Sequence, residues 1–393
     1  MNFLFVGKIP TSKSLLNRGM IIKSYAQELD LGSLTQADDV LKMNAALMAF
    51  QAGGKEFDCG AAAAVLRFLA LRVSRLPGVY RLTGTSRMLA RPHEELLTIL
   101  RQMGCDVDLG SHFLQITSRG WRPFGDMITV RVERSSQFIS GLLLNAWQLP
   151  FDLYVSSHGA MASFGYFEMT LQMCKAAGMT IEREGNEIFV PKNQEVTATQ
   201  LKMEPDLSSA FAICACAAVA GSVTLTDFPT ASLQPDAAFV PILREMGVQL
   251  QLESRQLHVA VTSKLRGLSV DLGHSPDLFP VLAALAALAQ GPSKLYGAAH
   301  LVYKESNRIA KVAELIRHIR PDVQILEDGL LLSEIPALSP FNVERFVFDC
   351  DQDHRLAMAA AVLKKAGYVM ELRDAQSVQK SFPEFWSILG DPQ

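Results

Sequence analysis

The sequence holds none of the short signatures that mark the commonest enzyme chemistries. It has no Cys-x-x-Cys, Gly-x-x-x-x-Gly-Lys, Gly-x-Gly-x-x-Gly, His-Glu-x-x-His or Gly-x-Ser-x-Gly. Zinc, nucleotide, dinucleotide and serine-hydrolase readings therefore lack support. Its six cysteines, Cys59, Cys105, Cys174, Cys214, Cys216 and Cys350, have no His cluster beside them. Each reads as a small buried apolar residue in a reducing cytosol, and neither a metal site nor a disulfide framework is expected. The longest apolar runs, around 210–221 and 278–289, are too short to span a bilayer. The opening "MNFLFVGKIP" is too short and too interrupted by polar residues for a signal peptide. No block of like charge occurs and the net charge is only −3, which argues against a nucleic-acid-binding or acidic tail. The expectation is a soluble, cytoplasmic protein that binds neither membrane nor nucleic acid. Its 393 residues, 49% of them apolar, are enough for about two to three domains with large cores.

What is present is a repeat. "ELLTILRQMGCDVDLGSHFLQIT" (95–117) reads as an amphipathic helix, a glycine, then two short alternating strands around a polar turn. The pattern recurs over 168–190 and 239–261, and over 312–334 with Arg-Pro in place of the glycine. Incomplete copies lie at 40–60, which has almost no hairpin, and at 355–375. Six related units imply an architecture built by repetition. The pattern predicts α/β domains with sheets outside and Ala-rich helices packed inside.

Polar residues stand at the heads of these helices. "PTSKSLLNRG" (10–19) places Lys13, Ser14 and Arg18 at a positive helix end, which suits a phosphate or carboxylate. "TSRMLARPHEEL" brings Arg87 and Arg91, and "VERSSQFISGLLL" brings Ser135, Ser136 and Gln137. "GHSPDLF" sets Asp277 at the mouth of a very apolar helix, where it could cap the helix or serve as a general base. "LVYKESNRIAKVAEL" carries Lys304, Glu305 and Arg308; "DQDHRLAM" carries His354 and Arg355; "VQKSFPEFW" carries Lys380. Each stretch alone reads equally as capping or solvated charge. Together they suit a substrate bearing several negative charges.

These stretches, with "QADDVLKMNAAL", "SPDL" and "KSFPEFW", resemble in order the motifs of the 5-enolpyruvylshikimate-3-phosphate synthases (3-phosphoshikimate 1-carboxyvinyltransferases). The resemblance covers essentially the whole chain. It implies an inside-out α/β barrel, the enolpyruvyl transferase fold: two similar domains of three helix-and-sheet units each. The expected N-terminal domain is 11–203, on the shikimate 3-phosphate side. The C-terminal domain is 204–393, completed by 1–10, and the active site is expected in the cleft between them. The implied reaction moves the enolpyruvyl group of phosphoenolpyruvate to the 5-hydroxyl of shikimate 3-phosphate and releases phosphate, without metal or organic cofactor. By similarity Lys13, Ser14, Arg18, Ser135, Ser136, Ser163, Asp277 and Lys304 hold shikimate 3-phosphate. Lys13, Arg91, Gln137, Arg308, Arg355 and Lys380 hold phosphoenolpyruvate. Asp277 accepts the hydroxyl proton, Glu305 serves the methylene carbon, and Arg67 matches another arginine of the site. The family expectation is a monomer. The related transferases that act on sugar nucleotides lack this Ser-Lys-Ser-x-x-Asn-Arg set.

The chain departs from the pattern in one loop. Where the family reads Gly-Asn-x-Gly-Thr, this chain reads "GAAAA", so Ala61, Ala63 and Ala64 replace Asn, Gly and Thr. His300, Asn307 and Thr11 also depart from the usual residues, and 47–60 is shorter than usual. The bare loop predicts weaker phosphoenolpyruvate binding and a larger loss for glyphosate, the bulkier inhibitor of that subsite. It also leaves a second reading, a non-catalytic or altered-substrate member of the same fold. Retention of Asp277, Glu305 and every motif cation favours the enzyme.

Overall fold

Among the described residues, four sheets of one design carry the fold. In each, a parallel pair of strands is extended by an antiparallel hairpin. Glu56–Asp58 runs parallel to Pro77–Thr83, which pairs with the hairpin Asp106–Leu109/Phe113–Arg119, Tyr80 standing opposite Ile116. Ile128–Arg131, Leu153–His158 and the hairpin Glu182–Glu184/Glu187–Val190 repeat the order. So do Phe3–Gly7, Gly221–Leu225 and the hairpin Gln249–Glu253/Gln256–Ala260. The fourth copy is Ser269–Asp271, Ser293–Tyr296 and the hairpin Gln324–Leu326/Gly329–Leu332. A fifth parallel pair, Phe346–Asp349 with Met370–Arg373, stands as two strands. At the sixth position the pair is reduced to one parallel bridge, Asp30 with Gln200.

The computed structural model describes residues 3–391 and gathers the chain into two compact units. One is Lys13–Met203. The other takes the chain up to Ser12 and resumes at Glu204. Thr11 bridges Pro205, and the Ser12 N–H donates to the Glu204 carbonyl at 2.8 Å, so this stretch belongs with the second unit. Each unit has its own apolar core.

Parallel strands need a crossover, and helices supply it. Ala63–Val73, Gln137–Leu144, Phe279–Ala287 and His354–Lys365 each join the strands of one pair. In the pair Phe3–Gly7/Gly221–Leu225 the connection contains the whole Lys13–Met203 unit before it reaches the helix Leu207–Ala220. In one unit Lys13–Lys23, Ala63–Val73 and Gln137–Leu144 pack together; in the other Leu207–Ala220, Phe279–Ala287 and His354–Lys365 do. Alanine and other small side chains let these helices approach, and every residue of Phe279–Ala287 is buried. A helix apolar all round has to be interior. The strands alternate between buried and exposed residues, so each sheet keeps one face toward solvent.

The helix-ending glycines do what their positions predict. Gly104, Gly178 and Gly247 have φ of +82°, +107° and +83° and close helices in the left-handed region. In the copy without glycine, the buried Arg320 takes over the turn. Its guanidinium donates to the carbonyls of Ala287 (3.3 Å) and Ser333 (2.9 Å) and pairs with Asp322. Gly221 answers a different need: a Cβ there would lie 1.8 Å from the carbonyl oxygen of its strand partner Phe3.

All six cysteines are buried and unlinked. Burial pushes the thiols of Cys59, Cys174, Cys216 and Cys350 up to about 12, so they are inert at neutral pH. Among the described residues no helix is long and apolar enough to cross a membrane.

Candidate active site

Many of the residues singled out from the sequence lie at or near helix N-termini, and each unit holds a group of them. In Lys13–Met203, Lys13 opens its helix, is buried, and lies 3.0 Å from Asp39 in the first turn of Asp38–Gln51. One turn further, buried Arg18 donates to Thr170 Oγ1 (2.8 Å), the Ser14 carbonyl (2.9 Å) and the Tyr166 carbonyl (3.3 Å). Burial lowers its pKa to about 10, so it keeps its charge at neutral pH. Arg18 thus ties Ser14 to the helix Phe164–Ala176, which begins beside Ser163.

Ser135, Ser136 and Ser163 come together. The Ser136 hydroxyl donates to the Ser163 carbonyl at 3.2 Å, and Ser163 itself sits at φ +56°. A non-glycine residue in the left-handed region is uncommon enough to suggest a functional constraint. Ser135 Oγ accepts from the Gln137 N–H at 3.2 Å. Ser136 caps Gln137–Leu144 without a side-chain hydrogen bond to the helix end.

Arg67 is buried and organises the neighbouring side. It donates to Gln137 Oε1 (2.8 Å), Ser135 Oγ (3.4 Å) and the Pro92 carbonyl (2.7 Å), and its guanidinium lies over the Phe138 ring at 4.5 Å. The Gln137 carbonyl end is thereby occupied, which leaves its NH2 group as the end available to donate. Half-buried Arg91 stands two residues before buried His93. Burial first, then the charges of Arg67 and Arg91, hold His93 down to about 3, so its ring is neutral.

The alanine run lies at the head of the same helix as Arg67. Ala63 and Ala64 are its first residues, Ala62 is the N-cap without a side-chain hydrogen bond, and Ala61 is exposed. Gly60, at φ +56°, donates its N–H to Asp58 Oδ1 at 2.8 Å, and Asp58 pairs with Lys42. The helix Asp38–Gln51 leads after a short turn into the three-residue strand Glu56–Asp58, so the shortened 47–60 stretch holds no hairpin of its own.

The second cluster is denser in charge. Arg308 opens the helix Arg308–Arg317 and is 1% exposed. Its Nε donates to Asp353 (2.8 Å), Nη1 to Asp277 (2.9 Å) and Nη2 to Glu305 (2.9 Å). Burial alone would lower the guanidinium's pKa, but Asp353, Glu305 and Asp277 outweigh it and raise it. Arg355 Nη2 reaches Asp277 at 2.5 Å and Ser208 Oγ at 3.0 Å, and Lys380 Nζ reaches Glu305 at 2.8 Å. Burial is the largest influence on Asp277 and pushes its carboxyl up. Arg355, Arg308 and Lys304 together overcome it and hold Asp277 below the usual carboxylate range. Half-buried Lys304 follows the turn Ala299–Tyr303, in which buried His300 is kept neutral, at about 3, by burial and then by Lys304.

Two carboxylates in these clusters were not assigned roles from the sequence. Asp39 is the partner of Lys13. Asp353, fully buried, caps His354–Lys365 through the Arg355 N–H (3.0 Å) and also accepts from Ser306 Oγ (3.0 Å). Its cap position before an apolar helix was readable; its bond to Arg308 was not.

The model of the EPSP synthase (3-phosphoshikimate 1-carboxyvinyltransferase) family matches residues 24–389. A 3-phosphoshikimate 1-carboxyvinyltransferase of Methanoculleus marisnigri is 36% identical over 344 residues, 86% of this chain and 79% of that one. One of Methanosphaerula palustris is 33% identical and covers 97% of this chain and 95% of its own. An EPSP synthase structure from Acinetobacter baumannii aligns over 99% of this chain and 95% of its own with a TM-score of 0.75 at 22% identity, a likeness of fold. The enolpyruvyl transferase NikO of Streptomyces tendae aligns over 99% and 94% with a TM-score of 0.69 at 14% identity. The chain therefore belongs to the EPSP synthase family, enzymes of the shikimate pathway that transfer an enolpyruvyl group to shikimate 3-phosphate.

Proposed function

We propose that the two clusters divide the family's reaction between them by charge. The first, with Lys13, Ser14, Arg18, Ser135, Ser136 and Ser163, holds shikimate 3-phosphate, assisted by Lys304. Hydroxyls and open helix ends suit a phosphate. Lys13, Arg91, the Gln137 NH2 group, Arg308, Arg355 and Lys380 hold phosphoenolpyruvate, whose carboxylate and phosphate match the guanidinium fork. Asp277 takes the proton of the 5-hydroxyl as its oxygen bonds to C2 of phosphoenolpyruvate. Glu305 delivers a proton to the methylene carbon. In the second half, the C2–O bond to phosphate breaks, the leaving phosphate takes the proton held by Asp277, and Glu305 takes back a proton from the new methyl group, which restores the double bond.

The observation that carries this reading is the attachment of Asp277 and Glu305 to one buried arginine. Arg308 spaces the two carboxylates as a pair at a single reacting centre, and it supplies a fixed positive charge where the substrate's phosphate leaves. The test is phosphate release measured with both substrates, each omitted in turn as control. Release that requires both supports the reading. Tight binding of shikimate 3-phosphate with no release supports a non-catalytic member of the fold instead. The bare alanine loop adds a subsidiary expectation: glyphosate inhibition is weak, and it is refuted by potent inhibition with ordinary phosphoenolpyruvate affinity.

A further inference from the structure

Three of the cations assigned to phosphoenolpyruvate, Arg308, Arg355 and Lys380, are already engaged by the reacting carboxylates. Arg308 gives Nη1 to Asp277 and Nη2 to Glu305, both at 2.9 Å. Arg355 gives Nη2 to Asp277, and Lys380 gives Nζ to Glu305. Asp353 takes the remaining side of Arg308, through Nε (2.8 Å) and Nη2 (3.2 Å), from a position with no exposure at all. Asp277 and Glu305 are less buried, with side chains 20% and 17% exposed.

We infer that Asp277 and Glu305 are internal competitors for the substrate's cations: they occupy the guanidinium and ammonium groups that the incoming anion needs, and they are released for chemistry as that anion takes their partners. The inference rests on the residue roles proposed above. Its physical content is an exchange of like for like. A carboxylate or phosphate group of the substrate offers the same paired oxygens to Arg308 as Asp277 and Glu305 do. A carboxylate bonded to two arginines is a poor base, because both bonds favour its charged form. Once the anion draws those arginines away, its affinity for a proton rises. The base thus becomes competent only when there is substrate to act on. Asp353 is not part of the exchange. It holds Arg308 by Nε and by one side of Nη2, which keeps the guanidinium in place while the bonds from Nη1 to Asp277 and from Nη2 to Glu305 change partners.

The competition has a consequence opposite to that of a binding residue. Neutralising a competitor tightens the anion, whereas removing a contact loosens it. The probe is inorganic phosphate, titrated by calorimetry with shikimate 3-phosphate saturating, a mixture that cannot turn over. Asp277→Asn and Glu305→Gln keep shape and remove charge. Each is expected to bind phosphate about tenfold more tightly than the unaltered protein. Equal or weaker binding in a folded variant overturns the competition for that carboxylate, and two separate positions keep the test open if one variant fails to fold. Phosphate release by the unaltered enzyme tells the two claims apart. Turnover without tightening overturns the competition alone, whereas neither turnover nor phosphate binding overturns the residue roles as well.

Discussion

The helix ends of the two units are filled in opposite ways. In Lys13–Met203 the three packed helices begin with Lys13, with Ala62 and with Ser136, and the last two caps make no side-chain bond to their helix. In the other unit two begin at a carboxylate cap, Asp206, whose side chain accepts from the Ser209 N–H, and Asp353, which accepts from the Arg355 N–H, while Asp277 lies in the turn Pro276–Leu278 that leads into Phe279–Ala287. A helix N-terminus carries a partial positive charge. The other unit sets its own acids near these ends, where Arg308 pairs with Asp277 and Asp353 and Arg355 with Asp277. On the roles proposed above, the same scaffold serves as an anion receptor in one unit and carries the acid–base pair in the other.

The largest test of this contrast is loss of the acids. Asp277→Ala and Glu305→Ala should each lower turnover by about 10²–10⁴-fold. Shikimate 3-phosphate binding should stay measurable by calorimetry; near-normal turnover in either variant removes that residue from its role.

Next comes a paired comparison. Asp353→Ala leaves Arg308 without its buried partner and should cost about 3–5 kcal/mol of stability, read from denaturant unfolding. Ser136→Ala should cost about 1 kcal/mol but weaken shikimate 3-phosphate binding. If Ser136→Ala destabilises as much as Asp353→Ala, the two kinds of helix end are not different in function.

His93 in one unit and His300 in the other are buried and held neutral, and acid should reveal both. His93 and His300 are depressed to about 3, mainly by burial, whereas an unfolded histidine titrates near 6.5. The unfolded chain therefore binds protons first. The stability tied to these rings is complete above pH ~6.5 and declines as pH falls from there toward about 3. NMR titration should show neither ring protonating between pH 5 and 8, and a ring with a midpoint near 6.5 would contradict its burial. The smallest effect is at the alanine loop. Ala62→Ser supplies the missing cap and should raise stability by about 0.5–1 kcal/mol, checked by melting temperature.

Much of this was readable before any coordinates. The hairpins at 95–117, 168–190, 239–261 and 312–334 announce themselves because periodicity switches from helix to strand at a glycine or at Arg-Pro. The parallel pairs do not, because strands such as Glu56–Asp58 and Ser269–Asp271 span only three residues and cannot display a period. Cations such as Arg308 and Arg355 stand out at the heads of apolar helices. Their partners are less visible: Asp39 is 26 residues from Lys13 and Asp353 is 45 from Arg308, distances that only folding closes. Arg67 is visible in the sequence as an arginine inside an apolar helix, but its grip on Gln137 and Pro92 follows from three segments meeting.

The pairing of Phe3–Gly7 with Gly221–Leu225 also sets an order of events on the ribosome. The strand is made first, then the whole Lys13–Met203 unit, and only afterwards the segment that shelters it. Synthesis at about 5–20 residues per second keeps that edge waiting for on the order of ten seconds or more. Lys8 and Asp227 form an ion pair just beyond the two strands. A chain with this arrangement is exposed to mispairing at its beginning, and a chaperone that holds the nascent strand should raise the yield of folded protein.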